Sequence, residues 1–187
     1  MFFGAPVLYS DKKIIKLHTP LNEKILTNLN AGDEVLLTGE IFTARDQAHK
    51  RLVELIGKNL KLPLDLKDKI IYYCGPTKTA PGKVIGSCGP TTSSRMDKFT
   101  AALLSVGLKG MIGKGRRSEE VRQLIKKYKA VYFLATGGAG AFLSKRVISA
   151  KPILFKELGP EAIYKLQVKD FPLIVGIDTK GIDVFSH

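Results

Sequence analysis

The chain has 187 residues, the size of one ordinary domain, and 44% of them are hydrophobic and 25% charged. Folding at this length removes roughly 70% of the extended-chain surface from water, and nothing in the composition is polar and simple enough to read as disorder. A formal net charge of +13 turns attention to anions: nucleic acid, an acidic substrate or an acidic partner.

The start, MFFGAPVLYSDKK, lacks the basic n-region of a signal peptide and its apolar run is short. Nowhere does the chain approach the roughly 18 consecutive apolar residues of a membrane span. Two cysteines are too few for a disulfide framework, so a reducing cytoplasm is the expected compartment.

The segment Gly32 to Phe42 opens with a turn and continues as an apolar strand. The stretch from Thr43 then takes helical period, with Ala48, Leu52, Leu55 and Ile56 on one face and Thr43 and Asp46 at capping-box spacing. KIIYYCG and KVIGSCG each read as a short buried strand ending at Gly-Pro. After the second comes a helix with Thr92, Ser93 and Ser94 as candidate caps, a stripe at Met96, Phe99, Leu103 and Leu104, and Gly107 just past its end.

The next repeat of this logic is LKGMIGKG, followed by a helix capped by Ser118 with Glu119 and Glu120 in its first turn. AVYFLATGGAGAFL adds a strand and a glycine-rich loop, and PLIVGIDTKGIDVF closes the chain with strands around a turn at Asp178 to Gly181. This alternation predicts a single α/β domain over residues 1–187, with a central, mostly parallel sheet and a second, mixed or antiparallel sheet from the strands near the ends.

In such a sheet, ligands bind where strands lead into helix N-termini. The conspicuous polar residues fall there: Thr43 and Arg45; Thr91, Thr92, Ser93 and Arg95; and Lys114 between two glycines. An arginine in the first turn of a helix opposes the positive end of the dipole. A bound anion would reverse that penalty, because free N–H groups, hydroxyls and guanidinium forks would all point at it.

Other chemistries match less well. Lys114 is followed by Gly115 rather than Ser or Thr, so the P-loop pattern is absent, and Leu143 stands where a third dinucleotide-binding glycine would be. Cys74 and Cys88 supply two thiolates, short of a closed zinc site, and His18, His49 and His187 show no ligand spacing with them. His49, one turn after Arg45, stands either as a general acid/base or as a surface or supporting residue. Spread lysines and the lack of RRM, KH or zinc-finger spacing leave a basic nucleic-acid-binding module as the distant alternative.

GDEVLLTGEIFTARDQAHKRL, YCGPT, GSCGPTTSSRMD, MIGKG, TGGAGAFL and ELGPEAIYKLQVKDFPLIVGIDTKG occur in that order. Together they resemble the beta subunit, or C-terminal region, of iron-sulfur-dependent hydro-lyases: class I fumarate hydratase and L(+)-tartrate dehydratase. The resemblance covers nearly the whole chain after Lys16 and implies a swivelling β/β/α three-layer domain. It also implies an alpha subunit whose three cysteines hold a 4Fe-4S cluster with one iron free for substrate, and a heterotetramer with a beta-beta contact. No membrane or nucleic-acid partner is implied.

By motif, Arg45, Arg95 and Lys114 match positions that hold the carboxylates of a small dicarboxylate. Thr91 matches the proposed base, with Thr92 beside it. Fumarate hydration to L-malate is the expected reaction and tartrate dehydration the close alternative. The resemblance departs at Gly140, where many relatives carry alanine.

Overall fold

The computed structural model describes residues 14–186; the opening segment 1–13 and His187 lie outside them. The elements run β1 (Ile15–His18), α1 (Glu23–Leu26), β2 (Glu34–Thr43), α2 (Asp46–Gly57), β3 (Ile70–Tyr72), α3 (Asp97–Ser105) and β4 (Gly110–Gly113). They continue with α4 (Glu119–Tyr128), β5 (Val131–Leu134), α5 (Gly140–Ser144), β6 (Val147–Leu154) and β7 (Ile163–Ile177). Short 3-10 turns occupy Ser93–Met96 and Lys156–Glu161.

β1 through β5 are parallel neighbours in sequence order. β7 then runs antiparallel to both β5 and β2, so β2, β3, β4, β5 and β7 close into a five-stranded barrel, with β1 beside β2 and β6 beside β7. The strands expected to form a second sheet are therefore joined to the first through β7, in one seven-stranded sheet.

Strand period two explains the two cores. Ile70, Tyr72, Ile112, Val131 and Phe133 point into the barrel, while Ile71, Tyr73, Met111 and Tyr132 point to the layer formed by α2, α3 and α4. Both faces of these parallel strands are buried, which is why they read as continuous apolar runs. Ala48 and Leu52 of α2, Leu103 and Leu104 of α3, and Val121 and Ile125 of α4 complete the helical layer. Among the described residues no helix is long and apolar enough to cross a membrane.

Several local expectations hold. Ser118 Oγ accepts from the Val121 N–H at 3.3 Å and caps α4. Gly107 (φ +96°) follows α3, its N–H reaching the Leu104 carbonyl at 3.1 Å.

Others are corrected. KVIGSCG is not a strand but part of a long loop between β3 and α3, laid across the barrel end. It is held by Thr77 N–H to Ser87 O (3.0 Å) and by Cys88 N–H to Gly140 O (3.2 Å), it meets the sheet where the Tyr72 hydroxyl of β3 donates to Cys88 O (2.6 Å), and beyond it Pro90 bridges to Cys74. Thr43 does not cap α2. Its hydroxyl donates to Ala162 O at 3.4 Å and accepts from Tyr164 N–H at 3.0 Å, stitching the end of β2 to the start of β7. The last apolar segment belongs to the 15-residue β7. The Asp178 turn that follows leads to a bridge between Ile177 and Asp183 rather than to a further strand.

A buried cation ties the helical layer to the strands. The Arg117 side chain is fully buried and donates to Asp97 Oδ1 at 2.6 Å and to Thr100 Oγ1 at 2.8 Å. Its guanidinium carbon lies 5.5 Å from the Tyr73 ring centroid and 5.1 Å from that of Tyr132. Asp97 Oδ2 also accepts from the Ser118 N–H at 2.9 Å, so one carboxylate fixes the starts of both α3 and α4. Asp97→Ala strands this guanidinium without its counter-charge and is expected to cost about 3–5 kcal/mol, read as a lower urea midpoint with an unchanged m-value.

Candidate functional site

Because β2 to β5 are parallel, their C-terminal ends emerge on one rim of the barrel. Arg45 follows β2 as the N-cap residue of α2, in extended backbone and with no side-chain cap of its own. Its carbonyl accepts from both the His49 N–H (2.9 Å) and the His49 ring Nδ1 (2.8 Å), and its guanidinium lies against Gly75, after β3. A Cβ at position 75 would stand 2.8 Å from Arg45 Cδ, 2.9 Å from Nη1 and 2.9 Å from the Pro160 carbonyl, so only glycine admits this approach.

The loop after β3 returns to the same rim. Thr91 N–H donates to the Tyr73 carbonyl at 2.7 Å, and Thr92 forms a parallel bridge with Lys114, just past β4, where Ser93 N–H donates to Lys114 O at 3.0 Å. A Cβ on Gly137, after β5, would lie 3.7 Å from Lys114 Cδ. Arg45, Thr91, Thr92 and Lys114 thus occupy adjoining loops at the ends of β2, β3 and β4.

Arg95 joins them by an ion pair. Its Nη2 is 2.5 Å from Asp46 Oδ2, and Nε donates to Asp46 Oδ1 at 3.2 Å. The expected placement is corrected in one respect: Arg95 sits in the 3-10 turn before α3, and the first turn of α3 carries Asp97 instead. Arg95 thus lies just ahead of the first turn of α3, and its side chain is 49% exposed.

Sequence reasoning missed Glu161. Its Oε2 accepts from the Gln47 N–H at 3.0 Å, capping α2 from 114 positions away, and its Oε1 lies 3.6 Å from Arg45 Nη2. The sequence signal is only a Gly-Pro-Glu before an apolar strand, and nothing in it points to α2.

His49 is fully buried, edge-on to Tyr73 at 5.3 Å and stacked on Phe99 at 5.7 Å. Its Nδ1–H donates to the Arg45 carbonyl, leaving Nε2 buried and, among the described residues, without a partner. Burial, with Arg117 nearby, lowers its pKa to about 4 against the opposing effects of the Arg45 carbonyl and Asp46. A neutral ring sealed in the helical layer supports Arg45 from below and does not reach the rim as an acid or base. The Tyr132 hydroxyl donates to Gly115 O and accepts from the Ser93 hydroxyl, each at 2.9 Å, and burial foremost raises its pKa.

Among the described residues no three His, Cys, Asp or Glu side chains gather as metal ligands. Cys74 and Cys88 are free and buried in the barrel core, and burial together with the hydrogen bond to Cys88 pushes the Cys74 thiol up. These two thiols do not fit as holders of an iron-sulfur cluster. A hollow of about 580 Å³ lies beside the rim, lined by Lys78, Lys83, Val84, Ser87, Ser144 and Lys145 among others.

Such a rim defines an α/β protein that gathers cations and hydroxyls at strand ends, as carboxylate- and phosphate-handling folds do. The family model described as Fumarase C-terminus matches residues 5–187. Over 173 residues the chain is 39% identical to the putative L(+)-tartrate dehydratase subunit beta of Methanocaldococcus jannaschii, covering 89% of each. Over 177 residues it is 39% identical to the anaerobic class I fumarate hydratase of Escherichia coli, covering 92% of this chain and 32% of that one. Fumarate hydratase 2 of Leishmania major is 39% identical over 163 residues, 86% of this chain and 29% of that one. The chain belongs to the fumarase C-terminus family and spans about a third of the length of the fumarate hydratases it matches.

The buried neutral His49 carries a sign. The unfolded chain binds its proton near pH 6.5, the folded chain near pH 4, so its contribution to stability is complete above pH 6.5 and declines as pH falls towards 4, by about 1.4 kcal/mol per pH unit. Urea titrations at pH 7, 6 and 5 are expected to show this slope in the wild type, and His49→Gln is expected to lack it.

Proposed function

We propose that this chain is the beta component of an iron-sulfur hydro-lyase that reversibly hydrates fumarate to L-malate. Its site is completed by an alpha polypeptide that carries the 4Fe-4S cluster. The observation that carries this reading is the gathering of Arg45, Arg95, Lys114 and two threonines on adjoining strand-end loops of a fumarase C-terminus domain. Separate subunits are supported by the match to a relative named as a beta subunit, over 89% of both chains. The chain is then one swivelling domain over residues 1–187, paired with alpha in a heterotetramer joined through a beta-beta contact.

Fumarate has two carboxylates, and this rim has two guanidinium groups and an ammonium to hold them. Arg45 and Lys114 follow β2 and β4, on either side of the loop after β3, and Arg95 hangs from Asp46 within the same group. Binding both ends of the dianion fixes the reacting carbons relative to Thr91, and effective molarity from such fixing lowers the barrier. Thr92 adds a hydroxyl beside Lys114 for a carboxylate oxygen.

In the dehydration direction the proton on the carbon beside a carboxylate moves to Thr91 Oγ1 as negative charge spreads into that carboxylate. The cations holding it stabilise this charge where it develops. A threonine hydroxyl is a poor base in water, so the cationic rim must favour its alkoxide form. The cluster, held by the companion chain, supplies Lewis-acid chemistry at the leaving hydroxyl.

Anaerobic co-expression with a cysteine-bearing alpha polypeptide tests the reading. The complex is expected to hydrate fumarate, and Arg45→Ala or Arg95→Ala to cut kcat/KM by about 2–5 kcal/mol, the cost of leaving a bound carboxylate unpaired. Fumarate hydration by this polypeptide alone, without iron, would reject the subunit assignment. Near-normal turnover in the double variant would reject the carboxylate clamp, and dehydration of L(+)-tartrate without fumarate hydration would move the substrate to the hydroxy-diacid.

A further inference from the structure

Arg45 is fixed through its backbone, yet its side chain must cross from the α2 N-terminus to the loop after β3. Two features guide it. Gly75 leaves a bare surface along which Cδ and Nη1 lie, and Glu161 stands beyond with Oε1 at 3.6 Å from Nη2. The Pro160 carbonyl lies over the same bare glycine, so the residues just before β7 form a wall of the passage that the guanidinium occupies. Arg45 Nε is buried and, among the described residues, has no hydrogen-bond partner.

A guanidinium presents its donors in a rigid planar fork, so a carboxylate facing one end sets the direction of the rest. At 3.6 Å the Glu161 pair is a charge contact rather than a tight hydrogen bond, and steers the plane without occupying the Nη2 donors fully. The tight bond of Glu161 goes instead to the Gln47 N–H, at 3.0 Å. This anchors the carboxylate on the positive end of α2, a helix with no local cap.

We infer that Glu161 is the positioning residue for Arg45: anchored on the start of α2, it aims the guanidinium so that donors other than the buried Nε face the carboxylate of an incoming dicarboxylic acid. The inference rests on the function proposed above. It adds a residue from the far end of the chain to the substrate-binding apparatus, contributed by the turn that leads into β7.

Glu161→Gln separates aiming from capping, because the amide oxygen can still accept from the Gln47 N–H while the charge facing Arg45 is gone. In the alpha-beta complex the variant is expected to raise KM for fumarate about tenfold, the scale of one net charge-assisted hydrogen bond. Its kcat should stay within about twofold, as expected when only substrate binding is weakened, and its melting temperature should fall by no more than a few degrees, the loss of one charge–dipole contact. Glu161→Asp, which keeps the charge on a shorter arm, should fall between the two.

An unchanged or lower KM in Glu161→Gln would overturn the inference, the lower value marking Glu161 as a competitor of substrate. A joint fall in kcat and melting temperature would overturn it in favour of a capping role. Should the wild-type complex hydrate no dicarboxylate, the functional reading fails and the isolated full chain decides this point alone. The Arg45 Nε–H resonance, identified by its loss in Arg45→Lys, is expected to exchange with water faster in Glu161→Gln than in wild type. Equal exchange in the two would overturn the inference.

Discussion

The antiparallel pairing of β7 with both β2 and β5 is the constraint on which the rest depends. A parallel run from β1 to β5 would by itself be an open sheet with polar backbone at each edge. One 15-residue strand that bonds to β2 along most of its length and to β5 near its end turns that sheet into a ring with a dry interior. Closing the ring also fixes where the start of β7 falls. Thr43 stitches Ala162 and Tyr164 to the end of β2, and the residue just before them is Glu161, delivered to the first turn of the helix that β2 feeds. The closure of the barrel and the arrangement around Arg45 are therefore one event.

Charge is organised in layers on this frame. On the rim, Arg45 and Arg95 each face a protein carboxylate, in Glu161 and Asp46, at partly exposed positions where such pairs are individually weak. A dianionic ligand can join them at modest cost. One layer down, His49 is held neutral by burial, so no second positive charge forms directly beneath Arg45 near neutral pH. Deeper still, the fully buried Arg117 is locked between two tyrosine rings by Asp97 and Thr100. Exposed pairs can respond to a ligand; the buried one holds the strands and helices in register.

Much of this was legible in the sequence because local physics set it. The buried parallel strands showed as apolar runs, α4 as a Ser118 cap with two glutamates behind it, and the end of α3 as Gly107. The rim loops were found from the rule that strand ends feed helix starts, and Arg45, Thr91, Thr92 and Lys114 do fall on adjoining loops. What the sequence hid was set by distant partners. KVIGSCG has the composition of a strand, yet its glycines and Gly-Pro ends let it arch across the barrel mouth, where Gly140 receives it. A Cβ at position 140 would collide with Ser87 Oγ and come within 2.9 Å of the Gly89 nitrogen, so glycine is what this contact requires. Thr43 looked like a cap because Asp46 follows at the right interval, but β7 offers its hydroxyl better partners. Glu161 carried no local signal at all.

Among the described residues, ring closure leaves two strands outside the barrel, and the sheet order ends on β6. An unpaired flank of backbone donors and acceptors invites strand addition from a neighbouring molecule. Here it carries an exposed Lys151 followed by Pro152, a charge that resists close approach and a residue that cannot donate. Register also shifts between Pro152 and Leu154, which breaks the even ladder that an incoming strand would need. This edge therefore disfavours extension of the sheet by a neighbouring strand.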